Sequence, residues 1–313
     1  MISYLLSRLA TAVIVVFVAS LIAFTIMHLQ PGDPVRAALG SEAPQAEVDR
    51  VRHEVGLDLA PPQQYLRWLG RAVQGDFGRS ISLQQSTGSL IAAALPITLY
   101  LGLLALLLSL VLSIPLGTLG AIRRGSALDS AITVLATAGL AMPSFWIGII
   151  GIYFLAFQLR LLPVQGFTSP MVNLPVSLHQ AVLPVVLLAL GPLASLTRQM
   201  RSAMLEVVGL EYIRTARAKG LGELVLLHRH ALKNALIPVI TLLGLQVRNL
   251  IGGSVIVEQL FNIPGMGRLL VRSVTDKDFP VVQANILVVA VVVVLASLIV
   301  DIAYGYLDPR IRR

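Results

Sequence analysis

The run Leu9–Leu29, LATAVIVVFVASLIAFTIMHL, contains no Lys, Arg, Asp or Glu. A helix needs about 20 mostly apolar residues to cross a bilayer, so this run predicts a transmembrane span. Arg8 precedes it, as in a signal peptide, but a signal's apolar region is only about 7–15 residues long. The run is longer, and no small-x-small cleavage site stands at a suitable place. It therefore reads as a retained first span. Outward from it, five further stretches of similar character follow: Thr98–Ile122, Ser130–Leu159, Gln180–Thr197, Ala235–Val257 and Val281–Tyr304. Their only charges are Arg248 in the fifth span and Asp301 near one end of the sixth. The third stretch exceeds one straight span, so part of it is expected to extend into a loop. The second begins after a charge-free run from Ser80, which leaves its start open. The expected fold is all-α, a polytopic membrane protein with six transmembrane helices.

Composition agrees. Of 313 residues, 56% are hydrophobic and 13% charged, where a soluble domain carries about 25% charged residues. Mean hydropathy is +0.82. These values exclude a disordered chain and disfavour a soluble enzyme. With no Cys, neither a disulfide framework nor a Cys-ligated metal is available. With both termini placed in the cytoplasm, the inside segments are Met1–Arg8, Arg123–Asp129, Arg198–Asn234 and Asp308–Arg313. They hold 13 basic and 5 acidic residues, whereas the outside segments hold 10 of each. The whole excess of +8 thus falls on one side, as the positive-inside rule requires. Nucleic-acid binding would need a basic patch with base-reading or aromatic groups; the inside loops offer only Tyr212, so no nucleic acid is expected.

Three divisions follow: residues 1–29 as the N-terminal segment and first span, 30–97 as an outer loop, and 98–313 as a five-helix core. The outer loop has two helix-like stretches. Pro44–Val55 places Val48, Val51 and Val55 on one face and ends before Gly56, a glycine suited to cap a helix C-terminus. Pro62–Gln74 starts on proline, keeps Tyr65, Leu66, Leu69, Ala72 and Val73 apolar, and ends before Gly75. Trp68 suits the depth of the membrane interface. Two readings stand: a lid packed on the bundle, or a docking surface for an external partner. Inside, Arg198–Asn234 places Ile213, Ala216 and Gly220 on one helical side and Arg214 and Arg217 on another. A helix over Arg214–Leu221 is expected, with Gly220 at its end. On chemistry alone it is either a helix that presses into a cleft on a soluble partner or ordinary loop filling. Pro115, Pro143, Pro184, Pro192 and Pro238 lie within spans and favour kinks.

Several chemistries are absent from the sequence. No phosphate loop occurs, and neither HExxH nor G-x-S-x-G is present. His228 and His230, two residues apart, would diverge on a helix and make a poor shared metal site; no metal is expected. Ion-coupled carriers place ionisable groups near the midplane, but only Arg248 is clearly inside a span. Energy is therefore expected from another subunit, and an intramembrane protease is disfavoured.

With these features in place, the chain resembles the permease subunit of ATP-binding-cassette importers, in the branch for dipeptides, oligopeptides and related solutes. The resemblance rests on several segments in order: Pro31-Gly32-Asp33-Pro34, Pro143-Ser144-Phe145-Trp146, Leu162-Pro163-Val164-Gln165-Gly166, Tyr212–Gly220, Arg229–Pro238, Glu258–Arg268 and Leu307-Asp308-Pro309-Arg310. It implies a type I importer permease fold in a bacterial cell membrane and a transport role without catalysis. It also implies a second homologous permease, two cytoplasmic ATP-binding subunits that use ATP and Mg, and an outer solute-binding protein. No cofactor is expected on this chain. A nickel complex, glutathione or another solute of the same branch is the alternative cargo.

Aligned on Gly220, Thr215, Ala216 and Arg217 stand where the family's Glu-Ala-Ala occurs; only Ala216 and Gly220 keep the general signature. The resemblance makes Glu211, Arg214, Thr215, Ala216, Arg217, Ala218, Lys219, Gly220 and Leu221 candidates for coupling to an ATPase. Gln246, Arg248 and Asn249 are candidates for the pathway or its gate, with a pairing to the partner permease as the alternative for Arg248. Phe261, Asn262, Pro264 and Gly265 are candidates for docking the binding protein, with a turn that only packs the bundle as the other reading.

Overall fold

The computed structural model describes residues 2–29, 32–40 and 42–307. Pro31, the segment Asp308–Arg313 and so the closing Leu307–Arg310 motif fall wholly or partly outside them. The described residues form helices joined by loops, with one isolated bridge between Arg79 and Ser86. In chain order the helices are α1 (Ile2–Leu29), α2 (Pro34–Leu39), α3 (Gln45–Val55), α4 (Pro61–Val73), α5 (Thr87–Ile122), α6 (Ala127–Ala141), α7 (Ser144–Gly151), α8 (Leu174–Val208), α9 (Glu211–Ala218), α10 (Glu223–Val225), α11 (Leu232–Leu260), α12 (Met266–Thr275) and α13 (Phe279–Leu307). Wider π-helical turns extend α7 through Ile152–Gln158 and join α10 to α11 through Leu226–Ala231.

Among the described residues, five helical segments are long and apolar enough to cross a membrane, and a sixth exists if one bent pair counts as a span. That pair corrects the expected third span. Ser130–Leu159 is not continuous: α6 and the Ser144–Gln158 helix meet at 103°. The cause is local. Pro143 disfavours helical backbone at the preceding residue, and Met142 is extended, with φ −84° and ψ 133°. Other bounds shift as well. The second span begins at Thr87 and runs 36 residues, because the charge-free run before Thr98 is helical too. The fourth begins at Leu174, where the Asn173 side chain accepts from Val176 N–H at 3.2 Å, an N-cap.

The chain divides into two compact units, residues 1–99 with 262–295, and 100–261 with 296–313. In the first, Asp33 caps α2 through Val35 N–H at 3.0 Å and pairs with Arg52 at 2.6 Å. α3 ends at Gly56 with φ +79°, the left-handed conformation glycine adopts without a Cβ clash. Val48 and Val51 of α3 are buried with Val35 and Ile81. α4 leans on α1 through Tyr65, whose hydroxyl meets Ser20 Oγ at 2.8 Å between the rings of Phe17 and Phe24. Both amphipathic helices therefore bury an apolar face, although Leu66 and Val73 of α4 stay exposed. Asp278, fully buried, accepts from Ser80 Oγ, Ser82 Oγ and the N–H groups of Ile81 and Ser82, which ties the chain ahead of α5 to the start of α13.

The second unit is built around α8, the most buried of the spans. It packs against α6, α7 and α11. Its 35 residues extend about 50 Å at about 1.5 Å per residue, longer than a hydrocarbon core of about 30 Å. Gly117 of α5 lies so close to α8 that a Cβ there would meet Met200 Cβ at 2.6 Å and the Thr197 carbonyl oxygen at 2.7 Å.

Candidate functional site

The expected inner loop is shorter than the charge pattern suggested. α8 continues to Val208, so Arg198 and Arg201 are helical rather than loop residues. Arg201 forms a two-pronged pair with Asp129, Nε to Oδ1 at 2.6 Å and the second prong at 2.8 Å. Asp129 also accepts from Gly125 N–H at 3.0 Å. Ser126, the N-cap of α6, accepts from Asp129 N–H at 3.3 Å. This cluster fixes the α5–α6 turn to α8. In the sequence both residues are merely inside charges, and nothing in their spacing announces the pair.

The remaining loop holds α9, which starts at Glu211 and ends at Ala218, three residues short of the expected Leu221. Its inner side is apolar. Ile213 is fully buried in a core with Leu196, Met200, Met204, Leu226 and Ala231, and half-buried Ala216 packs on the same core. Its outer side is exposed and charged: Glu211, Arg214, Thr215, Arg217, Ala218 and Lys219 all face solvent. Two ion pairs brace this face, Arg214–Glu211 at 2.9 Å and Arg217–Glu223 at 2.7 Å. Such exposed pairs contribute about 0–1 kcal/mol, so burial of Ile213 is the stronger anchor. Gly220 closes the helix with φ +80°, its N–H donating to Arg217 O at 3.0 Å. Leu221 and Leu224 follow as exposed apolar residues. Tyr212 adds a lateral tie, donating to His230 O at 3.2 Å and accepting from Asn234 Nδ2 at 2.7 Å. The loop thus presents a short helix held from behind, with cations and apolar side chains to the front.

The α11 candidates do not share one environment. Gln246 is buried at 5% exposure and accepts from Asn249 Nδ2 at 3.3 Å. Arg248 and Asn249 are exposed, on a stripe with Thr241, Leu245, Gly252, Ile256 and Gln259. Among the described residues Arg248 makes no hydrogen bond or ion pair. An arginine facing lipid near a span centre costs about 2.5–3.5 kcal/mol, so this mixed stripe fits a protein or aqueous surface better than acyl chains.

The four docking candidates also separate. Phe261 is buried at 2% and its carbonyl accepts from Gly166 N–H at 3.1 Å. Gly265 is buried too, while Asn262 and Pro264 are exposed. Asn262 takes φ 56°, a left-handed conformation that asparagine tolerates better than most residues. Its carbonyl accepts from Arg268 at 3.1 Å. The segment after it is more than a turn: it holds α12, whose first N–H, of Met266, donates to Thr98 Oγ1 at 2.8 Å. Only two of the four side chains are therefore open to a partner in this structure. No group of three His, Asp or Glu able to hold a metal occurs among the described residues.

Comparison with known proteins joins these features. The chain is 42% identical over 314 residues to the "Oligopeptide transport system permease protein AppB" of Bacillus subtilis (strain 168), covering 99% of both. Its fold is similar to a chain of the MetNI methionine ABC transporter in an inward-facing conformation, with TM-score 0.56 and 18% identity over 70% of this chain and 96% of that one. Residues 1–102 match the N-terminal part of a membrane-component family of binding-protein-dependent transport systems. Residues 113–313 match the family "Binding-protein-dependent transport system inner membrane component", and the chain belongs to that family.

Proposed function

We propose that this chain forms half of the transmembrane pathway of an ATP-driven importer for di- or oligopeptides. Its termini lie in the cytoplasm, and it pairs with a second homologous permease, two cytoplasmic ATP-binding subunits and an outer solute-binding protein. ATP and Mg belong to those ATPases; this chain does no hydrolysis. The observation that carries the reading is α9: a short helix anchored by Ile213 that offers Arg214, Arg217, Lys219 and Leu221 outward. The oligopeptide name of the Bacillus relative supports peptide as cargo. The test is transport by the complex reconstituted with its binding protein and ATPases. ATP-dependent uptake of peptides supports the reading. Uptake of a nickel chelate or glutathione alone would move the cargo and leave the family role standing.

Within this reading, Gly220→Val has a defined cost. Open space surrounds the site of a Cβ, so the penalty is in the backbone. A left-handed residue with a Cβ costs about 1–2 kcal/mol, and a β-branched one is a true outlier there. Transport is expected to fall by up to roughly tenfold, the factor that about 1.4 kcal/mol makes, while insertion and ATP hydrolysis persist. Gly220→Ala should fall between. Transport by both variants equal to that of the unsubstituted chain would show that the turn does not matter.

Arg248 is proposed to line the pathway or its gate, where its cation meets the carboxylate of a passing peptide. Arg248→Ala is then expected to slow uptake of zwitterionic peptides more than of C-terminally amidated ones, with assembly and basal ATPase activity unchanged. Loss of the assembled complex would instead assign the residue to the contact with the partner permease. Asn262 and Pro264 are the proposed contacts for the binding protein.

A further inference from the structure

The first unit contains a cavity of about 310 Å³ that plays no part in the transport reading. This volume is at the lower end of small-molecule sites, roughly 300–1,000 Å³. α1 contributes Phe24 and His28, α4 contributes Arg67 and Trp68, and the start of α13 contributes Phe279 and Gln283. Two polar groups on this wall lack a partner among the described residues. Gln283 is only 6% exposed and makes no hydrogen bond among the described residues, its carboxamide keeping some accessible surface. Trp68 Nε1 is buried with no acceptor. Buried polar groups are overwhelmingly hydrogen-bonded, and each exception asks for an explanation.

The neighbouring donors are engaged. His28 lies between Phe24 O at 2.8 Å and Gln64 Oε1 at 2.7 Å. Arg71 holds Asp76 at 2.7 Å. Arg79 directs two donors to Gln84 O, at 3.1 and 2.7 Å. Arg67 differs. It is exposed at the cavity's rim and makes no hydrogen bond or ion pair among the described residues. Three arginines against one carboxylate, Asp76, line the cavity. A guanidinium fork whose charge is felt by Asp58 and a carboxamide without a partner thus border a positively biased chamber, and the fork matches an oxyanion with two parallel bonds. The rings of Phe24, Phe77 and Phe279 give it an apolar wall.

We propose that this cavity is a binding site for a compact amphiphile, an oxyanion joined to a small apolar body. Arg67 recognises the oxyanion, Gln283 adds a hydrogen bond, the phenylalanine rings take the apolar part, and the Trp68 ring lies in the wall beside them. A carboxylate solute and a lipid phosphate share this chemistry.

The test uses the full chain in nanodiscs of zwitterionic phosphatidylcholine. The sequence has two tryptophans, Trp68 and Trp146, so Trp146→Phe leaves Trp68 as the sole reporter. N-acetyl-leucine is expected to shift Trp68 emission saturably, and N-acetyl-leucinamide is expected not to. Arg67→Gln should weaken the response roughly tenfold, the scale of one lost charged hydrogen bond, with Gln283→Leu as an independent second variant. Thermal melting confirms that each variant is folded. In a second arm, phosphatidylglycerol is added to the nanodiscs. A Trp68 shift from the lipid that displaces N-acetyl-leucine assigns the site to a headgroup, and a shift from N-acetyl-leucine alone assigns it to a carboxylate solute. No shift in either arm, an equal response to the amide, or unchanged affinity in folded Arg67→Gln would overturn the proposal.

Discussion

Asp129→Ala should clearly lower the stability of the chain, because removing one partner of an ion pair leaves the other charge uncompensated. The Asp129 side chain is 7% exposed and that of Arg201 29%, so water compensates Arg201 in part and softens the loss. Three donors lose their acceptor together: both prongs of Arg201 and the N–H of Gly125. The N-cap bond from Asp129 N–H to Ser126 survives, because it uses backbone. The expected result is a clear drop in the melting temperature of the detergent-solubilised protein. Replacing both partners, Asp129→Ala with Arg201→Met, should recover most of the loss, because the cost lies in the uncompensated charge rather than in the missing attraction. A double variant as unstable as the single one would show that the pair holds the α5–α6 turn by geometry alone.

Ile213→Ala should cost about 2–5 kcal/mol, the range for truncating a fully buried Ile or Leu. The effect should also be local. α9 has eight residues, and isolated helices shorter than about 12–15 residues are marginal in water. Its order therefore depends on the core contact that Ile213 makes with Leu196, Met200, Met204 and Leu226. With that contact weakened, the peptide bonds after Arg214, Arg217 and Lys219 should become more sensitive to trypsin while the membrane helices remain intact. On the proposed coupling role, transport should fall further than ATP hydrolysis. Unchanged trypsin sensitivity together with unchanged transport would show that Ile213 does not anchor the helix.

Much of this protein was legible in its residues because the deciding forces are local or additive. Twenty uncharged apolar residues in succession have one low-energy placement, so Leu9–Leu29 declares its span from composition alone. Gly56 and Gly220 mark helix ends because only glycine enters the left-handed region without a Cβ clash; both carry positive φ. The amphipathic spacing marks Val48, Val51, Tyr65 and Ala72, which are buried, but also Leu66 and Val73, which stay exposed.

The rest depended on partners far apart in the chain. Hydropathy adds residues without regard to direction, so Ser130–Leu159 read as one stretch, although Pro143 turns it through 103°. Arg198 and Arg201 looked like the start of a loop because charge usually ends a span. α8 carries Arg201 onward because Asp129, 72 positions earlier in the chain, neutralises it. Phe261 and Gly265 looked like exposed docking residues beside Asn262 and Pro264; their burial is set by packing that no neighbouring residue encodes. The cavity bounded by Arg67, Trp68 and Gln283 exists for the same reason. It requires α1, α4 and α13 to converge, and α13 lies far along the chain from the other two, so they meet through long-range packing, on which local sequence signals are silent.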